Sequence, residues 1–347
     1  MPAKSFFDPQ TSVFIIAEMS CNHGGDFGTA LRILEAAKIA GADAVKLQTY
    51  TADTLTIDCG NEYFRIKETL WEGRTLYDLY HEAFTPWEWH PRLKAAAEGM
   101  GLVLFSTPFD ASAVDFLETL DVPCHKIASF ENVDLPLIRK VAATGKPVIM
   151  STGMASEAEL DEAVATFREA GGMELALLKC TSAYPAPMEE MHLNTIPYLA
   201  AKYAVPVGLS DHTMGNAASI AATALGARII EKHLCLDRSR PGPDSAFSLE
   251  PSEFKAMVEG VRATEKALGQ VSFALTEKQQ ASAAFRRSLF VVNDMTAGEN
   301  FTEQNLRSIR PGFGLHTRHL EAVLGRQATC AIKRGTPLCW ELVEGQK

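Results

Sequence analysis

Short apolar and β-branched runs alternate with longer stretches of helical spacing between residue 13 and about residue 268. In the longer stretches, apolar residues recur on one face, as Leu31, Leu34 and Ala37 do. Eight strand–helix units in roughly 256 residues predict a TIM (β/α)8 barrel, an α/β fold. The alternative is an open doubly wound sheet, but no GxGxxG stretch follows the first candidate strand. The eight candidate strands are Val13–Ala17, Ala44–Leu47, Val103–Phe105, His125–Ala128, Val148–Met150, Leu175–Leu178, Val205–Leu209 and Ile229–Ile230.

Two segments fall outside this alternation. Tyr50–Thr85, after the second candidate strand, is an insertion with several aromatic residues, and it is either a lid or a packing arm. After Gly269 the pattern changes to short β runs and turn signals such as Pro311-Gly312. We therefore predict a barrel domain over 1–270, a linker over 271–286 and a small domain over 287–347. A unit of about 60 residues is marginal alone, so we expect it to pack on another surface.

Two stretches have the spacing of a helix-capping box. Thr85-Pro86-Trp87-Glu88 combines that spacing with proline at the first helical position. Ser156 and Glu159 have the same separation. Both stretches predict the start of a helix.

Composition narrows the class of protein. Hydrophobic residues make up 46% of the 347 residues and charged residues 22%, which predicts a sizeable core rather than disorder. No apolar run approaches the roughly 18 residues that cross a bilayer, and the first residues do not have the pattern of a secretion signal. The net charge of −10, without a Lys/Arg run, argues against nucleic acid or anionic membrane as partners. Seven cysteines without a CxxC pair predict reduced thiols, a cytoplasmic protein and no cysteine zinc site.

Polar side chains follow all eight candidate strands, at the end where a β/α barrel has its active site. Lys46 and Lys126 supply positive charge there, and a ring of this kind suits an oxyanion-rich substrate, with a phosphate and a carboxylate as the natural choice. Any single serine is equally suited to cap a helix. A lysine within an apolar strand, however, is costly without an anionic partner, which favours a functional role. The hydroxyl donors of this ring are Ser106, Thr107, Ser129, Ser151, Ser182 and Ser210.

His212 and His233 follow the seventh and eighth candidate strands, one β/α unit apart. Two imidazoles on adjacent strand ends can share a divalent ion that polarises a carbonyl group. Asp211 and Glu231 precede them and are candidates to hydrogen-bond the imidazoles. With two protein ligands we expect labile manganese or magnesium rather than structural zinc. A pair of hydrogen-bonded histidines without a metal stays open as the alternative.

Three loop acids and one tyrosine complete the candidate site. Glu18, Glu131 and Asp244 are suited to bind sugar hydroxyls or to act as a base. Asp244 follows Pro241-Gly-Pro and is equally typical of a turn. Tyr184 precedes Pro185-Ala-Pro187 in a rigid loop, where its ring can form one wall of a sugar pocket. Two other classes stay open: an aldolase with a Schiff base at Lys126, and a carbohydrate- or ice-binding protein without catalysis.

These motifs resemble those of the sialic acid synthases over about residues 11–343. Arg287-Ser-Leu289 to Arg310-Pro-Gly312, followed by Ile332–Gly335, resembles the antifreeze-like (SAF) domain of that family. The resemblance implies condensation of phosphoenolpyruvate with an open-chain acetamido sugar, release of phosphate, and a divalent metal, Mn²⁺ foremost with Mg²⁺ or Co²⁺ as options. It also implies a homodimer with a domain-swapped C-terminal domain. The matching barrel stretches are Ile16-Ala-Glu18 with Asn22-His23, Lys46-Leu-Gln48, Ser106–Asp110, Lys126–Ser129, Ser151–Met154, Gly208–Thr213 and Glu231-Lys-His233.

The resemblance also implies a role for each matching residue. His212 and His233 would hold the metal, and Arg310 would reach the site of the partner chain. The order of events would be attack of the phosphoenolpyruvate methylene on the sugar aldehyde, addition of water and loss of phosphate by C–O cleavage. Either Glu18 or Glu131 would orient the water. The residues expected around phosphoenolpyruvate are Lys46, Lys126, Thr107, Ser129, Ser151, Ser182 and Ser210, and those expected around the sugar are Glu18, Gln48, Tyr184, Asp244 and Phe247.

Within the family, Lys179–Pro185 and Asp244–Leu249 look like the pseudaminic acid synthase branch. This resemblance implies 2,4-diacetamido-2,4,6-trideoxy-L-altrose as the sugar. A 6-deoxy sugar lacks one hydroxyl, and Phe247 is the candidate for the apolar surface beside it. The alternative is an N-acetylneuraminate or legionaminate synthase that uses N-acetylmannosamine or a related acetamido sugar.

Overall fold

The computed structural model describes Phe7, residues 12–67 and residues 69–345. The chain divides into two compact units, with the boundary between Gly269 and Gln270. The segment expected to be a featureless linker contains a helix, Glu277–Ala283, which begins with a capping box at Thr276. Each unit has its own hydrophobic core.

Parallel strands close into a barrel in the first unit, in the order in which they occur along the chain. Closure comes from β8 pairing with β1, where Glu18 lies opposite His233. The predicted barrel is therefore confirmed, and the open sheet is wrong. The strands of this barrel are β1 (Phe14–Glu18), β2 (Ala44–Thr49), β3 (Val103–Pro108), β4 (His125–Ile127), β5 (Val148–Ser151), β6 (Leu175–Cys180), β7 (Val207–Asp211) and β8 (Ile229–His233).

Most of these strands run further at their carboxyl ends than the apolar pattern predicted. β8 was expected to stop at Ile230 but continues to His233, and β2 continues from Leu47 to Thr49. The reason is that polar residues pair in the ladder as well as apolar ones do, so the end of an apolar run does not mark the end of a strand. The active-site residues of β8 therefore lie within the strand.

Helices cover the outside of the barrel, and their boundaries follow from local capping. Asp26 accepts from the backbone N–H of Thr29 at 2.8 Å and begins α1, which ends at Gly41 with φ of 90°. Among the described residues, no helix has both the length and the apolar character to cross a membrane. The helices are α1 (Phe27–Ala40), α2 (Ala52–Leu55), α3 (Leu76–Ala83), α4 (His90–Gly99), α5 (Ala111–Thr119), α6 (Leu135–Ala142), α7 (Glu157–Glu169), α8 (Thr195–Tyr203), α9 (Ala217–Ala224), α10 (Pro251–Leu268), α11 (Glu277–Ala283) and α12 (Leu320–Val323).

One of the two predicted capping boxes is present. Ser156 and Glu159 satisfy each other's backbone N–H groups at the start of α7, as predicted. The box at Thr85 is wrong, because the Thr85 hydroxyl is buried and lies 3.0 Å from Nε2 of His23. The chain there forms a 3₁₀ turn, Trp87–Trp89, without a side-chain cap. The Thr85 hydroxyl, which the local pattern predicted to cap a helix, instead forms a hydrogen bond with His23, a residue distant in sequence.

The insertion Tyr50–Thr85, hereafter the arm, carries α2 and α3 and a short antiparallel bridge between Arg65 and Thr75. The Tyr50 ring meets the Tyr80 ring at a centroid distance of 5.8 Å and the Phe109 ring at 5.1 Å, both edge to face. These contacts attach the arm to the carboxyl end of β3.

The second unit pairs β9 (Ser288–Val291) with β10 (Leu306–Ile309) in antiparallel fashion. Isolated bridges such as Met295 with Ile332 extend the pairing. Its buried core includes Leu289, Phe301 and Leu338. The fold class is thus a TIM barrel followed by a small β-rich domain.

Candidate active site

The period of two along each strand decides which polar side chains enter the barrel. On β8, Glu231 and His233 face inward, whereas Lys232 faces the helices and pairs with Asp211. On β1 and β2 the same alternation brings Glu18 and Lys46 into the barrel. The site therefore consists of every second residue at the carboxyl ends of the strands.

Lys46 lies between two carboxylates inside the barrel mouth. Its Nζ is 2.5 Å from Oε2 of Glu18 and 3.8 Å from Oε1 of Glu231, and it donates to the Thr107 hydroxyl at 3.1 Å. Burial alone lowers the pKa of the Lys46 ammonium, but Glu18 and Glu231 outweigh burial and raise it. Lys46 is therefore held as a buried cation.

Lys126 is the second buried cation. Its Nζ donates to the Ser151 hydroxyl at 2.6 Å and lies 3.7 Å from Oε1 of Glu231. Burial lowers the pKa of Lys126, since one shared carboxylate compensates it only in part. Glu231 is shared with Lys46, which also has Glu18, so Lys126 is the less fully neutralised of the two lysines and the one more available to an anionic ligand.

Glu231 is the functional residue that the sequence interpretation missed. It had been expected to support an imidazole, but its Oε1 lies near both lysines and accepts from the Ser210 hydroxyl at 3.2 Å. Burial opposes ionisation, but Lys126 and Lys46 outweigh burial and lower the pKa of the Glu231 carboxyl. Side chains two residues apart on a strand point to the same face, so the position of His233 would have predicted that Glu231 faces the barrel interior.

Ser129 and Ser182 converge above Gly153, next to this charged ring. The backbone N–H of Gly153 donates to Oγ of Ser129 at 3.2 Å. A Cβ at Gly153 would lie 2.7 Å from Oγ of Ser129 and 2.2 Å from Oγ of Ser182, so only glycine permits the approach. The structure thus brings together the hydroxyls that were predicted, with one exception. Ser106 faces the helices and lies 2.6 Å from the Thr49 hydroxyl.

The two predicted metal ligands are neighbours. The ring centroids of His212 and His233 are 5.4 Å apart. Nδ1 of His212 donates to the Thr181 carbonyl at 3.1 Å, because a carbonyl only accepts, so in the neutral imidazole Nε2 carries the lone pair. Burial holds the pKa of His233 well below its ordinary value, so its imidazole is neutral.

These residues fit a divalent ion, although the described residues contain no group of three or more His, Cys, Asp or Glu side chains arranged to hold one. Nδ1 of His233 is buried and has no hydrogen-bond partner among the described residues. The nearest carboxylate oxygen is Oδ2 of Asp244, at 3.7 Å. An ion bound by two neutral imidazole nitrogens would keep open positions for water and substrate.

Asp211 does not support the imidazoles, contrary to the expectation from sequence. Its carboxylate lies 2.7 Å from Nζ of Lys232 and accepts from the hydroxyls of Thr213 and Ser219. Lys232 also donates to the Thr213 carbonyl at 2.6 Å. The fully buried pair joins β7 to β8 on the helix side, one residue away from His212 and from His233.

The side of the mouth expected to bind sugar carries amide, acid and aromatic groups. Gln48 donates to Oε1 of Glu18 at 3.1 Å and to the Ser20 hydroxyl at 2.9 Å. Ser20 in turn donates to Asp244. The Tyr184 ring lies 5.0 Å from the ring of the buried Phe247. The predicted turn role of Asp244 is therefore accompanied by a direct place in the site.

Tyr184 also lies against the metal-site imidazole. Its ring centroid is 4.4 Å from that of His212 and 5.9 Å from that of Trp71 in the arm. Burial raises the pKa of Tyr184, so the phenol stays protonated. One aromatic wall therefore runs from the imidazoles to the arm.

Glu131 lies on a 3₁₀ turn after β4, and its Oε2 is buried without a hydrogen-bond partner in the described chain. Burial raises the pKa of this carboxyl from 4.5 to about 7, although the charge of Lys126 opposes the change. A carboxyl that titrates near neutrality beside a cavity is suited to move a proton.

A cavity of about 340 Å³ opens among these groups, within the usual range for a small-molecule site. It reaches from His233 and Glu131 to the arm. The predicted site residues that line it are Gln48, Glu131, Tyr184, His233, Asp244 and Phe247. Arg310 lies in the other compact unit, where it is exposed, so its expected role stays a prediction.

Comparison with known proteins agrees with this geometry. A pseudaminic acid synthase of Campylobacter jejuni (serotype O:2) is 47% identical over 332 residues, which cover 96% of this chain and 97% of that protein. A pseudaminic acid synthase of Helicobacter pylori is 44% identical over 95% of this chain and 97% of that protein. The crystal structure of N-acetylneuraminic acid (sialic acid) synthetase from Leptospira borgpetersenii in complex with citrate is 33% identical. It matches with a TM-score of 0.70 over 78% of this chain and 90% of that chain.

Family models cover both compact units. The SAF domain model matches residues 286–344, and the NeuB family model matches residues 33–273. Since the second of these spans more than half of the chain and full-length relatives are more than 40% identical, the chain belongs to the NeuB family.

Proposed function

We propose that this chain is a pseudaminic acid synthase. It condenses phosphoenolpyruvate with 2,4-diacetamido-2,4,6-trideoxy-L-altrose, adds water and releases phosphate. The observation that carries the proposal is the buried cluster in which Lys46 and Lys126 share Glu231. Glu18 links Lys46 to Gln48, which lines the cavity together with His233 and Asp244. The pseudaminic acid synthases at 44–47% identity support the choice of sugar.

The charged ring is suited to hold the two anionic groups of phosphoenolpyruvate. Lys46 and Lys126 are buried, so each attracts an anion more strongly than a solvated lysine does. Ser129 and Ser182, which meet above Gly153, add hydroxyl donors. Fixed donors of this kind position the ligand and stabilise charge during reaction.

The bonds that form and break in the reaction indicate which residues of the site act at each step. The methylene carbon of phosphoenolpyruvate forms a bond to the aldehyde carbon of the sugar, and water adds to the former enol carbon. The C–O bond to phosphate then breaks, and phosphate leaves with the bonding electrons. A divalent ion, Mn²⁺ foremost, held by His212 and His233 would supply Lewis acidity toward the aldehyde oxygen. Gln48, Asp244 and Tyr184 orient the sugar hydroxyl and amide groups beside it.

Of the two acids considered for the water, Glu131 fits better than Glu18. Oε2 of Glu18 lies 2.5 Å from the ammonium of Lys46 and its Oε1 accepts from Gln48, so the carboxylate is held by a cation and an amide. Glu131 has a free Oε2 and a pKa of about 7. In the proposal Glu131 takes the proton of the attacking water, and Glu18 holds Lys46 and Gln48 in position.

Phosphate release from phosphoenolpyruvate tests the proposal directly. The enzyme is assayed with 2,4-diacetamido-2,4,6-trideoxy-L-altrose, with 2,4-diacetamido-2,4,6-trideoxymannose and with N-acetylmannosamine. We expect release to depend on an acetamido sugar and to be fastest with the altrose derivative. Faster release with either of the other two sugars would contradict the choice of sugar. Borohydride trapping of a substrate carbon on Lys126 would instead establish a Schiff-base aldolase.

We further propose that the enzyme works as a domain-swapped homodimer in which the partner subunit's Arg310 completes each site. The exposure of Arg310 on a separate compact unit supports an intermolecular role. Mixing Arg310→Ala protein with His212→Ala protein should restore part of the activity once subunits exchange. No recovery after exchange has been demonstrated by native mass spectrometry would rule out the shared site.

A further inference from the structure

The arm forms an apolar side of the cavity, opposite in character to the strand-borne ring. None of the arm residues described as lining the cavity carries a charge. Position 68 lies outside the described residues and is not part of this set. The arm residues that line the cavity are Tyr50, Leu55, Ile66, Thr69, Trp71, Leu76, Leu79, Tyr80 and Ala83.

This apolar side is held in place by contacts at both of its ends. Indole Nε1 of Trp71 donates to the Pro243 carbonyl at 3.0 Å, next to Asp244 in the loop after β8. At the other end Leu79 and Ala83 are the buried residues of α3. Between them the Ile66 backbone pairs with Arg74 and Gly73 around the turn of the short bridge. The apolar side chains are thus positioned by the fold.

The direction of the cavity determines which part of a sugar meets this surface. The end of the cavity lined by His233 suits a carbonyl group. The continuous rings of Tyr184 and Trp71 then lead away from the imidazoles toward the arm. A sugar with its aldehyde at the imidazoles therefore extends its distal carbons toward Ile66 and Trp71.

An apolar surface without charged or amide groups favours a methyl group over a hydroxymethyl group. Burying a hydroxyl there without a hydrogen-bond partner is costly, whereas burying a methyl group is favourable. Rejection of an added hydroxyl by a hydrophobic pocket is worth about 10²-fold in discrimination. The arm thus supplies a physical basis for selection at the distal end of the substrate.

We propose that the arm is the specificity element of the site. Ile66 and Trp71 contact the C6 methyl group of a 6-deoxy acetamido sugar and exclude sugars that carry a hydroxyl at C6. Phe247, the candidate from sequence for this surface, lies 4.9 Å from the His233 ring and so belongs to the imidazole end of the cavity. This inference rests on the proposed function for the identity of the sugar. It assigns the selection to residues outside the barrel strands.

The test uses two sugars that differ by one oxygen atom, 2,4-diacetamido-2,4,6-trideoxy-L-altrose and its 6-hydroxy counterpart. The ratio of their kcat/KM values is measured for the wild-type enzyme and for Ile66→Asn and Leu55→Asn. Tyr63→Ala is the matched control, because Tyr63 belongs to the arm but is 83% exposed and does not line the cavity. The KM for phosphoenolpyruvate and the saturation-transfer NMR signal of each sugar are recorded in parallel.

We expect the wild-type enzyme to prefer the 6-deoxy sugar at least tenfold. Ile66→Asn should lower that ratio about tenfold, and Leu55→Asn should lower it in the same direction. The KM for phosphoenolpyruvate should stay within about twofold, since the lysine ring is untouched. Tyr63→Ala should behave as the wild-type enzyme does.

A wild-type ratio near one, or a ratio that neither arm variant changes, would overturn the inference. Failure of the proposed function has a different signature. In that case the wild-type enzyme binds the 6-deoxy sugar selectively in the NMR experiment, and the arm variants weaken this selectivity, but no phosphate is released. The inference about the arm would then stand without the synthase activity.

Discussion

The two sides of the barrel mouth are built in different ways. The polar side consists of every second residue at the ends of regular strands, with Lys46, Lys126 and Glu231 buried against one another. The arm side consists of apolar residues on short helices and turns, attached through Trp71 and Tyr50. Strand register fixes distances closely, and an insertion can change its side chains without disturbing that register. The comparison separates the reacting groups, which the barrel positions, from the selection of substrate, which the arm provides.

The two sides also differ in how they respond to substitution. Removing one member of the charged ring leaves the remaining buried charges less completely neutralised, which is destabilising to the site. Replacing an arm residue changes an apolar contact that is partly open to the cavity. Substitutions in the charged ring should therefore affect activity more than substitutions in the arm.

The largest loss of activity is expected when the imidazole pair of His212 and His233 is disrupted. We expect His212→Ala, or chelation of the purified enzyme, to reduce kcat about 10⁴-fold, because Lewis acidity is worth several kcal/mol. Activity should return to the chelated wild-type enzyme when Mn²⁺ is added, whereas His212→Ala should not recover. Full turnover of enzyme shown by elemental analysis to be free of metal would refute the metal role.

Lys126→Met should come next, with a loss of about 10³-fold in kcat/KM. The substitution removes a buried cation and leaves Glu231 with Lys46 as its remaining cationic partner. Lys140→Met is the control, because Lys140 is a half-exposed lysine on α6 that pairs with Asp115. Steady-state phosphate release and circular dichroism separate loss of function from loss of fold. Equal effects of the two substitutions would contradict the special position of Lys126.

Glu131→Gln should reduce kcat about 10²-fold and flatten its pH dependence. In the wild-type enzyme the rate should rise with pH through about 7 and level off above it, as the carboxyl ionises. Stability should change in the opposite direction. Between about pH 4.5 and 7 the folded chain keeps a proton that the unfolded chain has lost, so stability falls as pH rises.

The control for Glu131 is Glu162→Gln, at an exposed position on α7. It should leave both the pH–rate profile and the pH dependence of the unfolding free energy unchanged. A wild-type rate that is flat between pH 6 and 8, or that falls as the carboxyl ionises, would rule out Glu131 as the base.

The smallest effect on turnover is expected for the buried pair of Lys232 and Asp211, which lies on the helix side of β7 and β8. Lys232→Met leaves Asp211 buried without its cation and should lower the unfolding free energy by about 3–5 kcal/mol. Turnover should fall only about tenfold, since Lys232 acts through the spacing of His212 and His233. Lys333→Met, which removes an exposed pair with Asp294, should change stability by about 0–1 kcal/mol. Denaturant unfolding of the two variants makes the comparison.

A weakened Mn²⁺ affinity in Lys232→Met, measured by electron paramagnetic resonance, would show that the pair positions the imidazoles. An unchanged affinity together with the loss of stability would limit the pair to a structural role.

The strand-borne residues were largely predictable from sequence because a barrel gathers the carboxyl ends of its strands at one face. Lys46, Lys126, His212 and His233 follow recognisable apolar runs, and the structure brings them together. The errors occurred where the facing of a residue had to be chosen. Asp211 and Ser106 face the helices, and Glu231 enters the barrel, and only the two-residue alternation within each of their strands distinguishes these cases.

The arm was far less predictable. Its aromatic content left open whether it is a lid or a packing arm, and no period relates Ile66, Trp71 and Tyr80 to one face. Their common surface arises from tertiary contacts, such as the indole of Trp71 with the Pro243 carbonyl, which lie 172 positions apart in the chain. Thr85 shows the same limit, because a distant histidine determines the role of its hydroxyl. Local patterns predict elements, whereas pairings over long separations decide which side chains share a cavity.

The pairing of β8 with β1 has a consequence for synthesis on the ribosome. Glu231 emerges 105 residues after Lys126 (231 − 126), which at about 5–20 residues per second is a delay of about 5–20 s. Throughout that interval the nascent chain carries two lysines destined for burial without the carboxylate that they share. A chain that ends before β8 lacks both the strand that closes the barrel against β1 and the carboxylate that pairs with Lys126, so a ribosome that stalls there yields a chain that quality control should remove.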